Sequence, residues 1–188
     1  MKRLRRAFRK EMASLAAPHL KCIDESGLNL GMTRRYGRAA PDQRVREATP
    51  DYSGTPYTMI AALGLTGISA PWLFEGALNG PAFVTYVCAE LAPTLQPGDI
   101  VILDHLSVHA NAEARAAIEA RGARVQFLSP YSSDFNPIEW VWAKVKAALR
   151  QAKARTFEAL VEALAHALRS ISEQDARAFF IHCGYTVE

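Results

Sequence analysis

Apolar residues recur along this chain in two rhythms, and the switches between them mark out its elements. Residues 20–23, Leu-Lys-Cys-Ile, read as a strand that closes on Asp24. Residues 58–65 and 68–74 predict two more strands, joined by a tight turn at Thr66-Gly67. Asn79-Gly80-Pro81 predicts a helix start, with Asn as cap and Pro in the first turn. Phe83, Tyr86, Val87 and Leu91 give that helix an apolar face, and Pro93 and Pro97-Gly98 end it. Residues 100–103, Ile-Val-Ile-Leu, read as a buried strand closing on Asp104. A helix over residues 111–120, stopped by Gly122, leads to a further strand at 125–128. After a loop at 129–136, Pro137 opens a helix with Ile138, Val141, Trp142, Val145 and Leu149 on one face. Two more helices follow, over 156–168 and 172–181. At the other end, Leu4, Phe8, Met12 and Leu15 share one face of a basic helix over 1–16.

This order sets a hairpin of early strands before strands that alternate with helices. Such a pattern predicts an α/β fold, a mixed sheet flanked by helices, with extra helices at the C-terminal end. The chain divides by pattern into a basic helix or linker at 1–18, an α/β domain at 19–155 and a helical extension at 156–188. At 188 residues it is long enough for a substantial core. Residues 27–56 break the rhythm. They are polar, rich in arginine and punctuated by glycine and proline, as in a long functional loop or irregular arm.

Charge sharpens this picture. The net value is only +3, but residues 1–10 hold six basic side chains and no acid. A second cluster is Arg34, Arg35, Arg38, Arg44 and Arg46, and a third is Lys144, Lys146, Arg150, Lys153 and Arg155. Any one cluster alone reads as a solvated face. Two of them flank acidic motifs, where a nucleic-acid backbone would need cations. Cys22, Cys88 and Cys183 are widely spaced, which argues against a disulfide framework or zinc ribbon and favours reading them as small buried hydrophobes. The longest weakly apolar stretch, 57–74, is broken by Gly64, Gly67 and Pro71, so no membrane span is expected.

The chemistry resides in three carboxylates. Asp24 and Asp104 end strands, and Glu139 opens a helix. Ligands of open α/β sheets bind outside the carboxyl ends of the strands, so these acids can converge on one crevice. A converged acidic triad needs a cation, and hard divalent ions with oxygen ligands fit it. Each acid has an ordinary alternative. The aspartates suit turn starts, and Asn136 with Glu139 three residues on forms a capping-box pattern. Glu25 alternates to the opposite strand face and reads as a surface or supporting acid. His105 and His109 lie four apart, but no third nitrogen or sulfur ligand accompanies them, which argues against zinc.

The residues in order carry a resemblance. Ile23-Asp24-Glu25-Ser26-Gly27 is followed by Ile102-Leu103-Asp104 with His109, then by Pro130-Tyr131-Ser132 and Asn136-Pro137-Ile138-Glu139 with Trp142. The chain resembles the catalytic domain of a DDE transposase, from the bacterial insertion-sequence branch of the mariner-like superfamily. The likeness runs from about residue 20 to 146, and the 34 residues between Asp104 and Glu139 are typical of that branch.

The resemblance implies a ribonuclease-H-like fold in which the strands of Asp24 and Asp104 are neighbours. It implies two Mg²⁺ or Mn²⁺ ions on Asp24, Asp104 and Glu139, with cleavage of transposon-end DNA and strand transfer into target DNA. Terminal inverted repeats would be the substrate and a TA dinucleotide the target. Arg34, Arg35, Arg38, Lys146 and Arg150 are the expected DNA contacts, and His109 is expected to contact the site or a DNA phosphate, with a satisfied structural histidine as the alternative. One position departs from the family: His105 stands where Asn is usual, and it and Asn136 are expected to support the ligands from behind. The resemblance also implies a homodimer, an upstream helix-turn-helix region or separate polypeptide, and a bacterial cytoplasmic, nucleoid-associated setting. The alternatives are a ribonuclease-H-like nuclease without strand transfer, and a catalytically silent DNA-binding or assembly remnant.

Overall fold

The structure, a computed structural model, describes residues 17–130 and 132–187. The basic helix expected over 1–16 lies outside the described residues. Five strands form one sheet: β1 (Leu20–Leu28), β2 (Tyr57–Gly64), β3 (Gly67–Glu75), β4 (Ile100–Leu103) and β5 (Arg124–Phe127), in the order β3-β2-β1-β4-β5. β1, β2 and β3 are antiparallel neighbours, whereas β4 runs parallel to β1 and β5 parallel to β4. The sheet is therefore mixed, as the order of elements predicts.

Helices cover both faces. They are α1 (Gly80–Tyr86), α2 (Ala112–Glu119), α3 (Ile138–Ala152), α4 (Phe157–Arg169) and α5 (Glu173–His182). Alternation along the strands assigns the faces. Leu20 and Cys22 of β1, with Met59, Ala61, Leu63 and Ile102, belong to one buried cluster. All five predicted apolar residues of α3, from Ile138 to Leu149, are buried in that cluster, and so are Leu160 and Leu164 of α4 and Phe180 of α5. Ile23, Ile60, Ala62, Val101 and Leu103 point the other way, into a second cluster with Phe83, Tyr86, Leu91 and Ile118. Fully burying one such side chain contributes roughly 1.5–3 kcal/mol, so each face is held by many parallel contributions.

Two local readings change. The hairpin turn is Leu65-Thr66, one residue earlier than expected, because Gly67 already pairs with Gly64. Gly67 has φ of 114°, which a residue with a Cβ seldom adopts. More consequentially, β1 does not close on Asp24. Its pairing with β2 continues to Leu28↔Tyr57, while its pairing with β4 runs from Leu20↔Ile100 to Cys22↔Ile102. Asp24 thus lies inside β1 at the level where the neighbouring strand has just run out.

Residues 29–56, between β1 and β2, have no helix or strand and are largely exposed. This segment is tied to the end of α3. Arg155 donates from Nη1 to the carbonyls of Leu30 and Met32, and Lys153 pairs with Glu47.

Candidate active site

Continuing the parallel register of β1 and β4 by two residues sets Asp24 level with Asp104. Asp104 is the first residue beyond β4. Glu139 reaches the same place from the first turn of α3, whose apolar stripe lies on the face of the sheet that Asp24 shares with Leu20 and Cys22. The three acids line one cleft of about 480 Å³, with His105, Ser132 and Asn136 among its other walls.

Like charge makes this a strained cluster. Burial, then the charges of Glu25 and Glu139, push Asp24 up to about 8. Glu139 is raised by burial, partly offset by Lys146, and raised further by Asp104 and Glu25. Asp104 behaves differently. Burial alone would raise it, but hydrogen bonds from His109 and the Leu106 amide hold it below the usual carboxylate range.

His109 touches the site's acids from a buried position. Its side chain is 0% exposed, its Nδ1 stands 2.7 Å from Asp104 Oδ1, and its Nε2 stands 3.4 Å from Glu25 Oε2. The second approach is a charge contact rather than a formed hydrogen bond. Burial disfavours the charged ring, yet the bond to Asp104 and the charge of Glu25 hold it up to about 9. Glu25 is the site residue whose specific role the sequence did not give. Strand alternation put it on the far face, but nothing local to it named His109 as partner.

His105 is exposed on the cleft wall, its ring 5.3 Å from Phe127, and its charge helps to lower Asp104. Asn136 is buried in the cleft lining, and its Oδ1 has no hydrogen-bond partner among the described residues. The capping-box reading of Asn136 and Glu139 does not hold. Pro137 occupies the cap position without a side-chain cap bond, which leaves the Glu139 carboxylate available to the cleft.

A second, basic groove of about 510 Å³ lies alongside, lined by Thr33, Arg34, Arg35, Thr49, Lys146 and Arg150. The charges of Glu139 and Asp24 act on Lys146, so groove and cleft adjoin. Burial and then Arg150 nonetheless keep Lys146 below the usual ammonium range. Arg38 is exposed in the same segment but does not line the groove. The rest of the third basic cluster is engaged elsewhere. Lys144 bonds to Asp175 and the Ser170 carbonyl, while Lys153 and Arg155 hold the 29–56 segment.

Among the described residues, no group of three or more histidine, cysteine or acidic side chains is drawn together closely enough to hold a metal ion as it stands. None of the helices found there is long and apolar enough to cross a membrane.

Known structures share this architecture. The Mos1 transposase paired-end complex with left transposon end matches with a TM-score of 0.79 at 16% identity, over 96% of this chain and 58% of that one. The Mos1 mariner paired end complex with Mn matches with a TM-score of 0.75 at 15% identity, over 97% and 57%. The Mos1 transposase catalytic domain with Raltegravir and Mg matches with a TM-score of 0.74 at 13% identity, over 96% and 92%. At these identities the likeness is one of fold, and it is the ribonuclease-H-like mixed sheet. The chain thus spans little more than half of the first two and nearly all of the isolated catalytic domain. No curated protein sequence matches it. Residues 19–161, well over half of the chain, match the DDE superfamily endonucleases, and the chain belongs to that family.

Proposed function

We propose that the chain is a transposase catalytic domain that cuts transposon-end DNA and joins the freed end to target DNA, using a divalent metal. The observation that carries this reading is the convergence of Asp24, Asp104 and Glu139 on one cleft beside a basic groove. In this reading the chain comes from a bacterial insertion sequence. It acts as a homodimer on inverted-repeat DNA, and an upstream helix-turn-helix region or separate polypeptide recognises the ends.

Asp24, Asp104 and Glu139 would hold two Mg²⁺ or Mn²⁺ ions. The donor set suits them, because carboxylate oxygens are the ligands that hard cations take. Burial and mutual repulsion raise Asp24, and a cation relieves both. An incomplete protein cage also fits Mg²⁺, which keeps several waters and uses substrate phosphate. When bound, such ions supply Lewis-acid polarisation at phosphorus and a more acidic water.

The chain's own side chains do the rest. Arg34, Arg35, Lys146 and Arg150 bind backbone phosphates and lead the strand to the cleft. The paired strands β1 and β4 fix the two aspartates at one level. Glu139 sits on the exposed first turn of a helix whose other face is buried. Hydrolysis of the end phosphodiester frees a 3′-hydroxyl, and that oxygen then displaces a target-strand oxygen at phosphorus in the same cleft.

The test is a Mg²⁺-dependent nicking and joining assay on inverted-repeat DNA. Wild-type protein should nick and join, while Asp104→Asn should fall to background with its fold intact. Retained Mg²⁺-dependent cleavage in that variant would sink the assignment. Cleavage without joining would favour a nuclease of the same fold.

A further inference from the structure

Asp104 spends one oxygen on the protein. Its Oδ1 accepts the Leu106 amide at 3.0 Å and stands 2.7 Å from Nδ1 of His109. A carboxylate oxygen offers about two lone-pair sites, so two donors saturate it. Oδ2 is the oxygen left for a ligand.

The ring that takes Oδ1 is itself fixed. His109 has no exposed side-chain surface and lies against Phe83, with ring centroids 4.8 Å apart. Its other nitrogen faces Glu25 Oε2 at 3.4 Å. Glu25 follows Asp24 on β1, and its own amide donates to Asp24 Oδ1 at 2.9 Å. One residue therefore addresses both aspartates, Asp24 through its backbone and Asp104 through the histidine ring. Neither Glu25 nor His109 lines the cleft of the three acids.

We propose that His109, backed by Glu25, is a positioning residue that reserves Oδ1 of Asp104 and leaves Oδ2 alone to bind the divalent ion. The inference rests on the metal-binding role proposed above. Supporting partners of this kind orient a ligand, and their loss typically weakens metal affinity about 10- to 100-fold.

Two replacements separate positioning from packing. The amide nitrogen of Asn can stand near the place of ring Nδ1, whereas that of Gln can stand near Nε2. Both lose the ring that packs on Phe83. Mn²⁺ binding to the whole chain, read by electron paramagnetic resonance of the free ion, avoids any need for catalysis. We expect His109→Asn to bind within about threefold of wild type, and His109→Gln to bind at least about tenfold more weakly. A crystal structure with Mn²⁺ should show a single Asp104 oxygen on the ion and His109 still on the other, and it requires no variant to fold. Equal affinities for the two variants, or an ion held by both Asp104 oxygens, would overturn the inference and leave the proposed function standing. Wild-type protein that binds no Mn²⁺ would overturn both.

Discussion

Asp24 bears the heaviest electrostatic load of the three acids, and its consequences are measurable without DNA. Its folded value of about 8 stands well above the ordinary carboxylate value of about 3.9. The folded state therefore holds this proton more tightly than the unfolded chain does. The stability this gives is complete below the unfolded value and is lost as pH rises through about 8. Metal-free protein should melt at lower temperature at pH 9 than at pH 6, and Mg²⁺ should restore most of the loss. Asp24→Asn should remove much of the pH dependence and raise the metal-free melting temperature at pH 9 by at least about 2–4 °C, the equivalent of roughly 1 kcal/mol at this chain length. An unchanged melting curve would show that Asp24 is not under strain. The three acids were legible because each sits in a short local signature beside an apolar run, although Asp24 turns out to lie inside its strand and not at its end. The Glu25–His109 contact was not, because its partners lie far apart in sequence and meet only when α1, β1 and the loop after β4 pack together.

At the scale of elements, apolar periodicity read well and charge read poorly. β4 and the apolar stripe of α3 lie where the pattern put them, since each is a run whose burial is decided locally. The second half of β1 was missed because Glu25-Ser26-Gly27 carries no apolar run. Its extended form comes from pairing with β2, a long-range contact that overrides local preference. The basic run of 144–155 looked uniform, but position on α3 and its exit divides it. Lys146 and Arg150 line the groove, while Lys144, Lys153 and Arg155 bind the protein itself. Neutralising Lys146 and Arg150 together should lower the salt slope of DNA binding by up to about two units, whereas neutralising Lys144 should leave it unchanged. A slope unaltered in the double variant would make the groove a solvated face. The same division makes α5 a separate test of stability. Ser172 and Asp175 form a capping box there, so Ser172→Ala should cost about 1 kcal/mol in denaturant unfolding without altering Mn²⁺ binding. A loss of Mn²⁺ binding in that variant would show that α5 is coupled to the site.

For the molecule as a whole, an acidic cleft beside a cationic groove gives backbone affinity without base readout. The chain alone should bind DNA weakly, with little sequence preference and a steep loss in salt. Repeat-specific binding that survives high salt would contradict this. The polar 29–56 segment was legible as an irregular arm, but its two moorings at the end of α3 were not, because they join residues more than a hundred positions apart. Those moorings bear on how the molecule survives damage. Among the described residues, trypsin should cut first in the exposed stretch holding Arg34, Arg35, Arg38, Arg44 and Arg46. The break would fall between two strands that remain zipped from Cys22↔Leu63 to Leu28↔Tyr57. Arg155 would still grip the stub on one side of the cut and Lys153 the stub on the other. The nicked protein should therefore elute as one particle and separate into two pieces only in denaturant, with the Arg34–Arg35 side of the groove cut loose while Lys146, Arg150 and the acids of the cleft stay in place.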